Sequence, residues 1–113
     1  MSNIITYDDF SAVDIRVGIV ERCEPFPEAR RPAYKLWINF GDDIGIKKTS
    51  AQITVHYTPE DLIGTQVMAV TNFEPKQIGP FISEVLVLGF SDDNGAIVLA
   101  RPDQTVPIGG KMH

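Results

Sequence analysis

A single cysteine, Cys23, stands in a chain of 113 residues, which excludes an intrachain disulfide, and with two scattered histidines it offers no spacing for a metal site. Long apolar runs are missing too. No stretch approaches the ~20 residues that span a bilayer, so no membrane insertion is expected. The opening "MSNIITYDDF" has neither a basic n-region nor a long apolar h-region; it does not read as a secretory leader, and a cytoplasmic protein is the expectation. There is no Gly-rich phosphate cradle and no nucleophile elbow, and the pairs Asp8-Asp9, Asp42-Asp43 and Asp92-Asp93 read as turn or cap residues. His56 has no carboxylate or cysteine placed by sequence to orient it, and reads as a polar strand residue. A binding module is expected, with no catalytic residue, cofactor or metal. Repeats, low-complexity segments and Gly/Ser linkers are also lacking, so residues 1–113 read as a single domain.

What is present begins with an uneven charge. The net charge is −5 and the pI about 4.8, which argues against a general affinity for phosphate backbones. Six of the ten cations nevertheless fall in residues 30–76. Two of them, Arg30 and Arg31, lie in "EPFPEARRPAYKLWINFG", residues 24–41, among four aromatic side chains.

Alternation recurs along the chain. "VDIRVGIV" sets Val13, Ile15, Val17 and Ile19 against Asp14, Arg16 and Gly18, a first strand with one buried face. "YKLWINF" sets Leu36, Ile38 and Phe40 against Lys35, Trp37 and Asn39, a second strand ended by Gly41-Asp42-Asp43. "KTSAQITVHY" reads as a third, with Thr49, Ala51, Ile53, Val55 and Tyr57 on one face and Lys48, Ser50, Gln52, Thr54 and His56 on the other. "TPEDLIG" then spells a short helix: Thr58 caps, Pro59 suits the first position, Asp61 completes a capping box and Gly64 suits the stop. "QVMAVTNF" and "SEVLVLGF" read as strands four and five, and "GAIVLA", after the turn Asp93-Asn94-Gly95, as a hairpin partner of the fifth. One helical turn is expected after Thr6.

Five to six short strands with a helix between the third and fourth is the order of an all-β OB-fold, a Greek-key barrel. In that fold ligands meet the face of strands two and three and the loops joining strands one to two and four to five. The first loop offers Phe26, Arg30, Arg31 and Tyr34 and is stiffened by Pro25, Pro27 and Pro32. The strand face adds Lys35, Trp37, Lys48, Ser50, Gln52 and His56. The second loop, "NFEPKQIGPFIS", adds Phe73, Lys76, Ile78, Phe81 and Ile82, a run too apolar for a free solvated loop, suited either to a ligand or to a second subunit.

"FSAVDIRVGIVERCEPFPEARRPAYKLWINFG", "TSAQI", "YTPEDLIG", "NFEPKQIGPFISEVLVLG" and "VLARPDQTVPIGGK" resemble the tRNA-binding domain family, and "ARRPAYKLWINFG" with "SEVLVLG" resemble its CsaA branch of export-related chaperones. Where the tRNA binders typically carry Asn-Ala-Asp-Lys-Leu, this chain reads Glu28-Ala29-Arg30-Arg31-Pro32-Ala33-Tyr34-Lys35-Leu36. The family's residues carry over to Lys35, Leu36, Asn72 and Ser83. The resemblance implies a homodimer that binds unfolded or precursor polypeptides without ATP and works with the secretion translocase. Phe26, Tyr34, Trp37, Phe73, Ile78 and Phe81 would then line an apolar groove, with Arg30, Arg31, Lys35, Lys48 and Lys76 at its rim. The alternative it implies is tRNA on the same face.

Overall fold

The computed structural model describes residues 3–113. Its elements run α1 (Tyr7–Ala12), β1 (Ile15–Pro25), β2 (Tyr34–Asn39), β3 (Ile46–Ala51), α2 (Pro59–Leu62), β4 (Gln66–Val70), β5 (Lys76–Ile78), β6 (Phe81–Ser83), β7 (Leu86–Val87), β8 (Gly89–Ser91) and β9 (Ile97–Leu99). A five-stranded antiparallel sheet, β3-β2-β1-β4-β7, curls into a nearly closed barrel, with β5-β6 and β8-β9 as separate hairpins. This is the expected OB-fold.

Both helices start by the same device. Thr6 accepts from the Asp9 amide at 3.1 Å while the Asp9 carboxylate accepts from the Thr6 amide at 2.9 Å, and Thr58 and Asp61 repeat the exchange ahead of α2. Each box satisfies two otherwise orphaned amides, contributing on the order of 1 kcal/mol. The expected turn after Thr6 extends to six residues.

The second strand obeys its alternation: Leu36, Ile38 and Phe40 lie in the interior with Leu62, Val67 and Ala69. The first does not. Gly18 and Val20 face inward, and a Cβ on Gly18 would meet Ile38 at 2.5 Å and Phe40 at 2.8 Å. Val17 is buried from the other side, where the C-terminal segment passes over it and Gly110 accepts its amide at 3.1 Å. The register then shifts between Val20 and Arg22, leaving Glu21 unpaired opposite β2, so that Cys23 rejoins the interior. A bulge adds one residue to one strand and changes which parity points in.

The third strand is shorter than its alternation suggests. It ends at Ala51; Ile53 stays buried, but Thr54–His56 form a turn and Val55 is exposed. The long apolar fifth strand is broken into β7, which pairs with β4, and β8, which pairs with β9 around the expected Asp93-Asn94-Gly95 turn. The loop "NFEPKQIGPFIS" supplies the hairpin β5-β6, pairing Lys76 with Ser83 and Ile78 with Phe81.

Asp14 staples the ends of the barrel together. It accepts from Arg16 Nε at 2.9 Å and from the Thr71 hydroxyl, lies 3.9 Å from Lys111 Nζ, and Arg16 also donates to the Gly109 carbonyl. The Thr71 hydrogen bond, with Arg16 and Lys111, outweighs burial and holds the Asp14 carboxyl below its ordinary range.

Candidate binding face

A second, smaller cluster lies outside the barrel. Phe26, Ala33 and Phe81 are buried in it, with Ala29, Trp37 and Ile78 packed around them. Phe26 meets Phe81 edge-on at 5.4 Å between ring centroids, and Trp37 meets Phe81 at 6.0 Å. The backbone fixes this arrangement: the Phe26 amide donates to the Ala33 carbonyl at 3.1 Å, closing the first loop, while the β5-β6 hairpin carries Phe81 over β3. Phe26 and Phe81, expected to project from their loops, are 3% and 7% exposed and form a floor. Large aromatics gain more from mutual burial than from solvent, and edge-to-face pairs add to that gain.

Cations cover this floor. Lys35 Nζ lies 5.3 Å from the Phe26 ring and 5.7 Å from Phe81, and Lys48 Nζ lies 5.3 Å from Phe81. Arg22 stacks on Trp37 at 4.4 Å while donating to Glu24 at 2.6 Å. Each such contact is worth ~0.5–1 kcal/mol at a partly exposed site, and it holds the cation in place. Neither Lys35 nor Lys48 has a carboxylate within ion-pair distance among the described residues. Arg22 was absent from the sequence expectation because its approach to Trp37 depends on the bulge at Glu21; no local pattern signals it.

Beside the cluster runs an open groove of about 950 Å³ between the end of β3, the β4-β5 connection, the hairpin, β7 and β9. Its wall is mainly apolar, with Ile78, Val85, Leu86, Val87, Ile97 and Leu99, and it carries Phe73, Ser50, Gln52 and Lys76 at its edges. Phe73, about half exposed, has no ring partner. Arg30 and Arg31 sit on the exposed first loop with no ion pair among the described residues.

Three expected site residues have their polar groups engaged within the fold. Tyr34 falls on the barrel side of β2, against the main core, and its hydroxyl donates to the Tyr57 carbonyl at 2.8 Å; burial raises its pKa. Asn72 accepts from the Asp14 amide and donates to the Ala12 carbonyl. Ser83 bonds the Thr49 hydroxyl at 2.9 Å and accepts from the Ser50 amide at 3.1 Å, locking the hairpin to β3. His56, read as a lone polar residue, does have a carboxylate: Asp92 Oδ2 lies 2.7 Å from its Nε2, brought there by the β8-β9 hairpin from 36 residues away. Cys23 is buried, and desolvation with nearby Glu60 and Glu24 pushes its thiol up to about 11, so it stays protonated. Among the described residues no group of acids, cysteines and histidines could hold a metal ion, and no helix is long and apolar enough to cross a membrane.

The family described as "Putative tRNA binding domain" matches residues 15–111. The chain belongs to that family. Its similarity to solved structures extends to side-chain identity: the chaperone CsaA from Bacillus anthracis str. Ames is 48% identical, with 98% of this chain and 100% of that one covered at a TM-score of 0.91. The CsaA chaperone protein from Picrophilus torridus is 54% identical over 97% of this chain and 100% of its own, at a TM-score of 0.90. A methionine–tRNA ligase of Bacteroides fragilis is 31% identical over 108 residues, 96% of this chain but 16% of the ligase. This family member thus spans a small part of that relative's length.

Proposed function

We propose that this chain is an export-related molecular chaperone that holds unfolded or precursor polypeptides without ATP. The observation that carries the reading is the groove: about 950 Å³, mostly apolar, open at the surface, with Lys76, Glu74 and Glu84 among its lining. Apolar walls with a few fixed polar groups suit segments of varied sequence. The similarity to two CsaA chaperones over nearly the whole chain supports it. Pairing of two copies into a homodimer would place two grooves on one particle and raise avidity for a long chain without new contacts. Delivery to a secretion translocase belongs to the same proposal.

A second reading rests on a separate observation. Arg30, Arg31, Lys35 and Lys48 make no ion pair among the described residues, and unpaired cations beside aromatic rings also suit tRNA. Titration of the protein with a labelled denatured precursor and with tRNA, each at low and physiological salt, separates the two. The chaperone reading expects precursor binding that changes little with salt, since apolar burial releases few counterions. Tight tRNA binding that weakens steeply with salt, beside no precursor binding, would replace it with the second reading. In that case Arg30→Ala with Arg31→Ala lowers the salt slope by about two, one for each lost phosphate contact.

A further inference from the structure

The barrel is sewn shut along only part of its seam. The edge strands of the main sheet are β3 and β7. At the near end the chain crosses between them: the Glu84 amide donates to the Lys48 carbonyl at 2.8 Å, the Lys48 amide to Glu84 Oε1 at 3.0 Å, and the Thr49 hydroxyl to the Val85 carbonyl at 2.8 Å. The Ser50 amide reaches only a side chain, Ser83 Oγ. Beyond Ser50, no hydrogen bond joins residues 51–53 to residues 86–88 among the described residues, and the groove opens between them.

Alternation fixes which backbone groups face that gap. Ser50 turns its amide away from β2 toward Ser83, so the pair Lys35–Ser50 is a non-hydrogen-bonded one and Gln52, two residues on, faces the same way. The Gln52 amide and carbonyl make no hydrogen bond to the described chain. Across the gap, the Leu88 amide donates to the Met68 carbonyl at 2.9 Å, so Val87, one residue earlier, turns its amide and carbonyl away from β4. Gln52, one residue past the end of β3, and Val87 on β7 therefore present unused donors and acceptors to one apolar slot. Edges left open in this way are templates for strand pairing.

We propose that the occupant enters as an added strand: an extended segment of about four to six residues lies along the seam, bonded through its backbone to Gln52 and Val87. Alternate side chains of that segment fall on Ile78, Val85 and Ile97, which line the groove. Backbone pairing supplies affinity that is blind to sequence, and the apolar wall selects only for every second residue. Charge sets its end. Lys48 stands four residues before Gln52 along the same edge, and its ammonium and that of Lys35 hold their places over Phe81 without an acidic partner among the described residues. The groove's own acids are Glu84, whose carboxylate accepts from the Lys48 amide, and Glu74 on the β4-β5 connection. In a chain of net charge −5, this end of the seam is where an aspartate or glutamate of the segment is accommodated.

This inference rests on the polypeptide reading above, and hydrogen exchange separates the two. The probe is the same denatured precursor, with its binding first measured by anisotropy and amide exchange then followed residue by residue in the saturated complex. The expected result is slowing of exchange at Gln52 and Val87 by at least about tenfold, with Arg30 and Arg31 amides unchanged. Precursor that binds while Gln52 and Val87 exchange as in the free protein overturns strand addition and leaves the chaperone reading standing. Precursor that does not bind removes both. Protection of the two amides in the free protein that grows with its concentration assigns the seam to a second copy, and protection by tRNA alone assigns it to nucleic acid; either result overturns the proposal.

Discussion

Two apolar clusters share this small chain, and they are built on opposite terms. The barrel interior around Leu36, Ile38 and Phe40 is enclosed on all sides by other apolar side chains. The satellite around Phe26 and Phe81 is enclosed below but roofed by ammonium groups. The first kind of burial serves stability alone. The second spends part of its apolar surface on holding charges, so the same residues that pack the cluster also position the cations above it. A cation held over a ring has lost less freedom to a ligand than one on a free stem, and costs less to order when a partner arrives.

The sharpest way to break this contrast is to truncate one residue in each cluster. Leu36→Ala leaves a cavity in a fully enclosed site and is expected to cost about 3 kcal/mol in urea unfolding. Phe81→Ala is expected to cost less, about 2 kcal/mol, because the hairpin can settle onto the gap and one side of the ring already faces lysines. Equal losses would make the satellite part of one continuous core. Precursor affinity should follow the reverse order, falling with Phe81→Ala and holding with Leu36→Ala at temperatures where both are folded.

A smaller effect sharpens the same comparison. Lys35→Met with Lys48→Met keeps the stems that cover Phe81 and removes only the charges, so stability is expected to shift by no more than about 0.5 kcal/mol. Affinity for an acidic precursor segment should drop severalfold at low salt. A large loss of stability instead would show the cations to be part of the packing.

The smallest effect lies in the barrel's staple. The carboxyl of Asp14 is held below its ordinary range, so its contribution is complete above about pH 4 and is lost as pH falls toward the lower folded-state value. Asp14→Asn should therefore flatten the acid limb of the stability profile. At neutral pH it should cost only about 0.3 kcal/mol, since the group is partly solvated. An unchanged acid limb would move the linkage to other carboxylates, with Asp92 beside His56 the next to examine.

Legibility in the sequence followed how local each cause was. Both helix starts, the second strand and the Asp93-Asn94-Gly95 turn were readable because their determinants lie within a few residues of one another. The inward parity of the first strand was not, since it depends on the unpaired Glu21 and on a C-terminal segment lying over Val17. Ile53 to Tyr57 alternate like a strand while the backbone turns, so Ile53 and Tyr57 pack on the core and Val55, between them, is exposed. Within the candidate site, Trp37, Lys35 and Lys48 stood where the outward face of two strands puts them. Phe26 and Phe81 were expected to be exposed and are buried, because they come from loops 55 residues apart whose meeting only the fold decides. Tyr34, Asn72 and Ser83 were chosen for their chemistry, and the fold had already used that chemistry.

The unpaired Glu21 also sets where this chain tolerates change in length. Upstream of it even-numbered residues point inward, and downstream odd-numbered ones do, so one residue acts as a phase shifter between the closing half of the strand and the half that carries Arg22 to Trp37. Removing it would leave Cys23 inside on an unbroken alternation, whereas removing Cys23 would bring Glu24 toward the interior. The loop from Phe26 to Ala33 has no such constraint, being pinned at its ends by one backbone hydrogen bond. Variation in the reach of the binding face can thus accumulate in that loop, while the strand feeding it absorbs a lost residue only at its bulge.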